Sequence, residues 1–256
     1  MGPSSVHETN FRSDAILILS ATLLYKLLHF ALSSYGPVSS HVASTGKHLY
    51  WFNIMTSWVN SIVIGIGAVY CFSLFPDMSE FTFSKHHAAS HFMICVCLGY
   101  FIYDTMDCLR EPKVDKVILF HHFLGFLTCG TIIFSHRYAT VLIVGMLGEV
   151  NSFFLHARQL MNLSRVSRDS LIYKLNCLIN ILTFIVFRIG TSGWIFVWFI
   201  GQRKEAAIIY TTVAVFSSVT WLCGNLLLFF QLLSADFSRS KQKIEYSNLL
   251  NNSLAD

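Results

Sequence analysis

Long apolar runs constrain this chain more than any other feature of its sequence. An α-helix needs about 20 residues to cross the roughly 30 Å hydrocarbon core of a bilayer. Seven runs reach about that length, and they lie at residues 14–32, 53–75, 90–109, 117–135, 138–156, 173–200 and 208–233. The runs predict an all-α membrane protein, a helical bundle of about seven transmembrane helices. Because only His136 and Arg137 separate the fourth run from the fifth, six spans with a re-entrant pair are the alternative.

The composition excludes two broad classes of protein. Hydrophobic residues make up 54% of the 256 residues and charged residues 12%, and the mean hydropathy is +0.56. A soluble domain carries about 25% charged residues, so a soluble enzyme is excluded. The net charge of +4 does not indicate a nucleic-acid partner, because the basic residues are scattered between apolar runs rather than gathered in one stripe.

The basic residues between the runs predict the orientation and the domain layout. Eleven lysines and arginines lie in connections on the side of the membrane that holds the C-terminus, and five lie on the opposite side. The positive-inside rule therefore predicts a cytoplasmic C-terminus and an unglycosylated, cytoplasmic Asn162-Leu163-Ser164 sequon. We expect an N-terminal segment with the first helix at 1–45, the main transmembrane domain at 46–233, and a polar, disordered tail at 234–256.

Ionisable and polar residues interrupt the apolar runs at a few positions. A charge inside a span costs about 2.5–3.5 kcal/mol, so such a residue normally faces the bundle interior and has a partner or a function. Because four neighbouring spans each contribute between one and three of them, we predict that they meet around a shared polar cavity. The candidates are Asp104, Asp107, His121, His122, Glu149, Asn151, His156 and Arg188.

These residues also have structural interpretations when each is taken alone. The two aspartates can lie at the membrane edge, solvated and paired with Arg110. Arg188 is expected to be an ion-pair partner of Glu149 or Asp104 rather than a catalytic group, because an unpaired guanidinium at that depth is costly.

Three chemistries suit a cavity with these groups. A histidine held by a carboxylate can act as a general base or nucleophile in acyl transfer. His121, His122 and Asp104 could instead hold a metal, but the HxxxH and HxxHH spacings of membrane desaturases are missing and no metal or other cofactor is predicted. The seven cysteines include no CxxC pair, so neither a zinc site nor a disulfide framework is expected. The third possibility is a pocket that recognises a lipid headgroup without catalysis.

Four segments in order carry a resemblance to a known family. They are GYFIYDTMDCL, the His121-His122 pair, GEVNSFFLHARQL and FRIGTSGWIFVWFI. Together they resemble the TLC-domain family, which includes the ceramide synthases, and are most similar to the TLC domain-containing protein 1 and 2 group. The resemblance covers residues from about 50 to 233.

The resemblance implies residues as well as a function. In ceramide synthases a His pair is followed by His-Asp-x-x-Asp, and these groups serve acyl transfer from acyl-CoA to a sphingoid base. Here His121 and His122 match the pair, while Gly148, Glu149 and Ser152 stand where the later His and the two Asp would be. The group that the chain resembles most limits the incorporation of polyunsaturated acyl chains into phospholipids and keeps the plasma membrane rigid.

Two functional hypotheses follow. The first is a membrane protein that regulates phospholipid acyl composition and fluidity without catalysis. The second is a lipid acyltransferase that uses acyl-CoA, with His122 as base or nucleophile, Glu149 or Asp104 orienting it, and Arg188 holding a phosphate or carboxylate. Its partners are membrane phospholipids or fatty acyl groups, with the plasma membrane as the expected location and the endoplasmic reticulum as the alternative. The sequence leaves the oligomeric state open.

Overall fold

The protein is helical throughout the part of the chain that the structure describes. A computed structural model describes residues 11–74, 87–110, 116–135, 138–202 and 208–253. A π-helical turn, Ile185–Gly190, joins the eighth helix to the ninth. The α-helices are α1 Phe11–Tyr35, α2 Ser40–Thr45, α3 His48–Leu74, α4 Ala88–Cys108, α5 Lys116–Ser135, α6 Ala139–Met146, α7 Gly148–Leu163, α8 Leu171–Phe184, α9 Thr191–Gln202 and α10 Ile208–Ser253.

Seven helical segments are long and apolar enough to cross a membrane, which confirms the predicted seven-span bundle over the six-span alternative. The fourth and fifth spans are separate, because α5 ends at Ser135 and Tyr138 adopts a left-handed backbone with φ +67° before α6 begins. The fifth span, Ala139–Leu163, extends past the predicted end at residue 156.

Two of the spans are interrupted. The fifth is divided at Leu147, where α6 gives way to α7. The sixth, Leu171–Gly201, contains the π-helical turn, which carries Arg188. Short π-helical turns inside α-helices are frequent at functional sites. Both interrupted spans carry candidate residues predicted from the sequence.

Helix α1 packs closely against α4, and the two run parallel, since Asp14 meets His91 while His29 meets Tyr103. Gly99 permits the close approach: a Cβ at this position would lie 2.6 Å from the Cβ of Ala21. The backbone carbonyl of Gly99 accepts a hydrogen bond from Thr22 Oγ1 at 3.0 Å. A small residue at the crossing thus lets van der Waals contact and a hydrogen bond replace the hydrophobic driving force that lipid does not supply.

The core of the bundle lies between α3, α4, α5 and α6. Ile64, Ile94, Ile143 and Cys129 are fully buried there. The outer face of α1 is the opposite, with Ile16, Leu19, Leu23 and Leu27 exposed, as expected of a helix that faces lipid. This core sets α4 and α5 side by side, which positions the site described next.

The C-terminal segment differs from the sequence prediction. Helix α10 continues to Ser253, so the backbone of residues 234–253 is helical where disorder was expected. No glycine or proline follows Gly224, and a helix that is already nucleated in the membrane propagates through residues such as lysine, glutamine and glutamate at little cost.

Candidate functional site

His122 is held by two residues of the neighbouring helix. Its ring is buried in α5, and Nε2 lies 3.0 Å from Oδ2 of Asp104 on α4. Nδ1 lies 3.0 Å from the Thr105 hydroxyl, which is also 2.7 Å from the carbonyl of Phe101. Because that hydroxyl has a single proton, it can donate either to His122 or to Phe101, and Nδ1 can accept in one case and donate in the other. The imidazole is therefore fixed in orientation while it can still exchange a proton.

Asn53 of α3 joins the two aspartates. Its Nδ2 donates to Oδ1 of Asp104 at 2.8 Å and to Oδ2 of Asp107 at 2.9 Å, which uses both amide protons. Both aspartates are buried, so neither is solvated at the membrane edge. Asp107 also lies 3.6 Å from NH1 of Arg110, whose side chain is 57% exposed, so the network extends from the buried histidine to the surface of the bundle.

Helix α1 adds a further histidine to this network. His29 Nδ1 lies 2.7 Å from the Tyr103 hydroxyl and 4.0 Å from Oδ2 of Asp107. Neither Asn53 nor His29 is among the site residues predicted from the sequence. Each is a polar residue within or at the end of an apolar run, and that signal alone could have drawn attention to them.

His121 points away from the network. Its ring stacks on Trp221 of α10 with centroids 4.7 Å apart, and it makes a T-shaped contact with the Phe101 ring, with centroids 5.8 Å apart. Adjacent residues on a helix face different directions, so the histidine pair does not act as one two-histidine unit. Of the two, only His122 lies within hydrogen-bond distance of Asp104.

A largely apolar cavity lies next to the histidines. Its volume is about 140 Å³, and its walls come from α4, α5, α6, α7, α9 and α10. Phe101 and Trp221 line it and also contact the histidine rings, so these two aromatic rings form the boundary between the cavity and the histidine pair. Glu149 also lines the cavity, and it forms no side-chain hydrogen bond or ion pair with another described residue.

Arg188 has partners other than those predicted. Its NH2 donates to the Ser152 hydroxyl at 2.8 Å, its NH1 donates to Asn225 Oδ1 at 3.3 Å, and its guanidinium lies 5.5 Å from the ring centroid of Phe184. The predicted ion pair with Glu149 or Asp104 is wrong, because no carboxylate of the described residues lies within ion-pair distance. Hydroxyl, amide and aromatic groups contact the guanidinium, and Nε stays buried without a hydrogen bond.

Asn151 and His156 lie in contacts of their own. The fully buried Asn151 donates from Nδ2 to the carbonyl and to Oδ1 of Asn180, both at 2.9 Å, which fastens α7 to α8. His156 Nδ1 lies 3.0 Å from Gln159 Oε1, one turn further along α7. Asp104, Asp107 and His122 therefore form one network. The other candidates lie in separate surroundings rather than around the single shared cavity that was predicted.

A metal ion could be held at the centre of this network. Donor atoms of Asp104, Cys108 and His122 lie within 4.8 Å of one another. Cys108 replaces His121 in the ligand set that the sequence suggested. The same geometry suits an imidazole that hydrogen-bonds to a carboxylate, and that simpler arrangement accounts for the contact of His122 with Asp104.

Comparison with known proteins decides the family. The TLC-domain family model matches residues 48–234. The chain belongs to the TLC-domain family. It is 32% identical to TLC domain-containing protein 2 of Danio rerio over 220 residues, which are 84% of this chain and 89% of that protein. It is 27% identical to TLC domain-containing protein 1 of Rattus norvegicus over 227 residues, 86% of this chain and 89% of the relative. Human TLC domain-containing protein 2 is 28% identical over 229 residues, 88% and 85% of the two chains.

In this TLC-domain protein the matched region does not contain the whole network. The match begins at residue 48, the first residue of α3. Helix α1 precedes it, yet supplies His29 and packs along α4. The site is therefore built from the TLC domain together with the helix that precedes it.

Proposed function

We propose that the protein sets the acyl composition of membrane phospholipids, limits their polyunsaturated chains and so regulates membrane fluidity. The observation that supports this proposal is the apolar cavity that ends at Phe101 and Trp221, the two rings that separate it from the histidine pair. Its walls are mainly side chains such as Ile132, Val141 and Phe199, and a single carboxylate, Glu149, lies among them. Such a lining suits a short segment of an acyl chain beside one polar group, since a cavity of about 140 Å³ holds a group of about the size of benzene.

Selection between acyl chains in this cavity would depend on shape. An acyl chain that leaves the bilayer for an apolar cavity gains little hydrophobic free energy, because lipid tails are as apolar as the cavity wall. Selectivity must then come from close packing between the acyl chain and the cavity wall. Such packing favours the chain whose bends match the shape of the wall. A cis double bond bends a chain, so the cavity can discriminate between saturated and polyunsaturated chains.

Filling the cavity tests this proposal. A Cβ at Gly145 would meet only Ile195 Cδ1, at 3.8 Å, so Gly145→Leu extends into the cavity without a backbone clash. Gly193→Leu is the matched control, because a Cβ there meets nothing within 4 Å and Gly193 does not line the cavity. Phospholipid profiles of null cells should be restored by wild type and by Gly193→Leu but not by Gly145→Leu at equal protein levels. Restoration by all three would refute the cavity as the site of selection.

Acyl transfer is the second candidate, and the contact between His122 and Asp104 favours it. His122 would take the proton of an acceptor hydroxyl or amine, relayed through the Thr105 hydroxyl, while that group attacks the acyl carbonyl of acyl-CoA. The thioester C–S bond would then break, and CoA would leave as a thiol that takes the proton back from the imidazolium. Asp104 would orient the ring and stabilise the imidazolium that forms. General-base catalysis of this kind contributes roughly 10²–10⁴-fold in rate.

Two measurements separate the candidates. Purified protein is incubated with labelled acyl-CoA and membrane lipids, and null cells are rescued with wild type, His122→Ala or Glu149→Gln. Transfer that His122→Ala abolishes would establish catalysis. If the purified protein transfers no label and both variants restore the phospholipid profile, the catalytic candidate fails.

The compartment and the sidedness are part of the proposal. The family resemblance supports the plasma membrane, with the endoplasmic reticulum as the alternative, and the distribution of basic residues supports a cytoplasmic C-terminus. Asn162 lies at the end of α7, on the predicted cytoplasmic side. A glycan on Asn162 would overturn this topology, and surface labelling of intact cells with a C-terminal epitope tests it independently.

A further inference from the structure

Three residues of different chemistry meet where α1 packs on the beginning of α4. Asp14 Oδ1 of α1 lies 2.8 Å from Nε2 of His91. Cys95 follows His91 by four residues, so the two project from the same face of α4. One donor atom from each of the three residues lies within 4.8 Å of the others. The cluster is shielded: Cys95 is fully buried, and the side chains of Asp14 and His91 are each 15% exposed.

The donor set matches the preferences of one class of metal ion. Carboxylate oxygen, imidazole nitrogen and thiolate sulfur are the ligands that Zn²⁺ takes, whereas Ca²⁺ and Mg²⁺ take oxygen ligands. Tetrahedral zinc places neighbouring ligand atoms about 3.3–3.6 Å apart, within the span of the three donors here. The fourth position would be taken by a water molecule.

The charges of the three ligands favour a divalent cation at this buried site. A carboxylate and a thiolate carry two negative charges, and Zn²⁺ cancels both. The complex with neutral His91 is therefore uncharged, which suits surroundings of low dielectric constant, where isolated charges are costly.

We propose that Asp14, His91 and Cys95 form a Zn²⁺-binding site that fastens α1 to the TLC domain. Further along the same pair of helices, Thr22 donates a hydrogen bond to the carbonyl of Gly99. A metal bound only in the folded state stabilises that state, so zinc would hold the helix that carries His29 against the matched domain. The cysteine spacing had predicted no zinc site because it considers neighbours in sequence, whereas these ligands come from two helices.

Cobalt substitution tests the site directly. The full-length protein is purified in detergent, stripped with a chelator and titrated with Co²⁺, whose bond to a thiolate gives a charge-transfer absorption in the near ultraviolet. Zinc content is then measured by elemental analysis, and thermal unfolding is followed with and without Zn²⁺. We expect one zinc per chain, a thiolate charge-transfer band, and a higher Tm with zinc.

Matched variants locate the ion. Cys95→Ser changes one atom and leaves the contact of Asp14 with His91 in place, and it should abolish the band and the zinc-dependent rise in Tm. Cys129→Ser, at an equally buried cysteine of α5, should change neither. Cys108→Ser tests the second donor cluster, at Asp104 and His122.

Two results would overturn the proposal. One is a wild-type protein that gives no charge-transfer band and binds no zinc. The other is a band that survives Cys95→Ser. If Cys108→Ser removes that band, the ion lies at Asp104 and His122 instead. Neither readout depends on lipid composition, so this test is independent of the proposed function.

Discussion

Nε2 of His122 on α5 lies 3.0 Å from Oδ2 of Asp104 on α4, and both side chains are buried. The same carboxylate accepts a hydrogen bond from Asn53 on α3 through its other oxygen. Three helices thus hold one imidazole and one carboxylate in a fixed relation. This arrangement fixes the orientation of the imidazole and still leaves His122 able to exchange a proton through Thr105.

Asp104→Asn should remove function while the fold persists. The amide keeps the shape of the side chain but has no charge to stabilise an imidazolium, so acyl transfer should fall roughly 10²–10⁴-fold if His122 is a general base. Rescue of the phospholipid profile in null cells and transfer assays with purified protein measure the effect. Asp169→Asn is the control, because that carboxylate is 70% exposed. Full activity of Asp104→Asn would exclude an imidazolium in the reaction.

Asn53→Ala should destabilise the bundle by leaving two buried carboxylates without their shared donor. Each unsatisfied acceptor costs about 1–3 kcal/mol. Because Asn53 and Asp107 contact each other directly, the double variant Asn53→Ala/Asp107→Ala should lose less than the sum of the single losses. Thermal unfolding in detergent measures all three variants. Strict additivity would contradict the hydrogen bond.

Gly99→Ala should weaken the packing of α1 on α4. The new Cβ would lie 2.6 Å from the Cβ of Ala21 and 2.8 Å from the carbonyl oxygen of Ile18, and overpacking of this kind costs about 1–3 kcal/mol. Gly193→Ala is the matched control, since its Cβ meets nothing within 4 Å and alanine favours a helix over glycine by about 1 kcal/mol. Unfolding measurements should show opposite signs for the two variants.

His29→Phe should reduce function without removing the catalytic candidates. The substitution keeps an aromatic ring between Phe52 and Tyr103 but removes the nitrogen that lies 2.7 Å from the Tyr103 hydroxyl. Loss of one hydrogen bond costs about 0.5–1.5 kcal/mol, so the protein should still fold. His48→Phe is the control, because that exposed histidine lies outside the network. Equal rescue by both variants would mean that α1 contributes only packing.

The spans and the central pair of residues could be predicted because each leaves a signal along the chain. Apolar runs give the number of spans from length alone, and Asp104 and His122 stand out as polar residues within them. The partners of Arg188 could not be predicted. The chain offers two nearby carboxylates as partners, whereas the structure uses the hydroxyl of Ser152 and the amide of Asn225, and helix rotation within the bundle decides between them.

Contacts between helices that are distant in sequence explain the other differences. Asn53 and His29 join the network from α3 and α1, and the pattern of a single helix does not indicate which face will meet α4. Neighbouring residues can also separate, as His121 and His122 do: one stacks on Trp221 and the other meets Asp104. The sequence therefore indicates which residues need partners, and the packing of the bundle assigns them.

The π-helical turn at Ile185–Gly190 rotates the side chains that follow it in the sixth span about the helix axis. Such a turn contains one residue more than the α-helical repeat, and one residue corresponds to about 100° of rotation. Arg188 can therefore face Ser152 while Ile195 and Phe199, further along the same span, face the cavity. Removing one residue from the turn would restore a regular α-helix and rotate Ile195 and Phe199 out of the cavity wall. The extra residue thus lets one span present correctly oriented side chains to two separate surroundings.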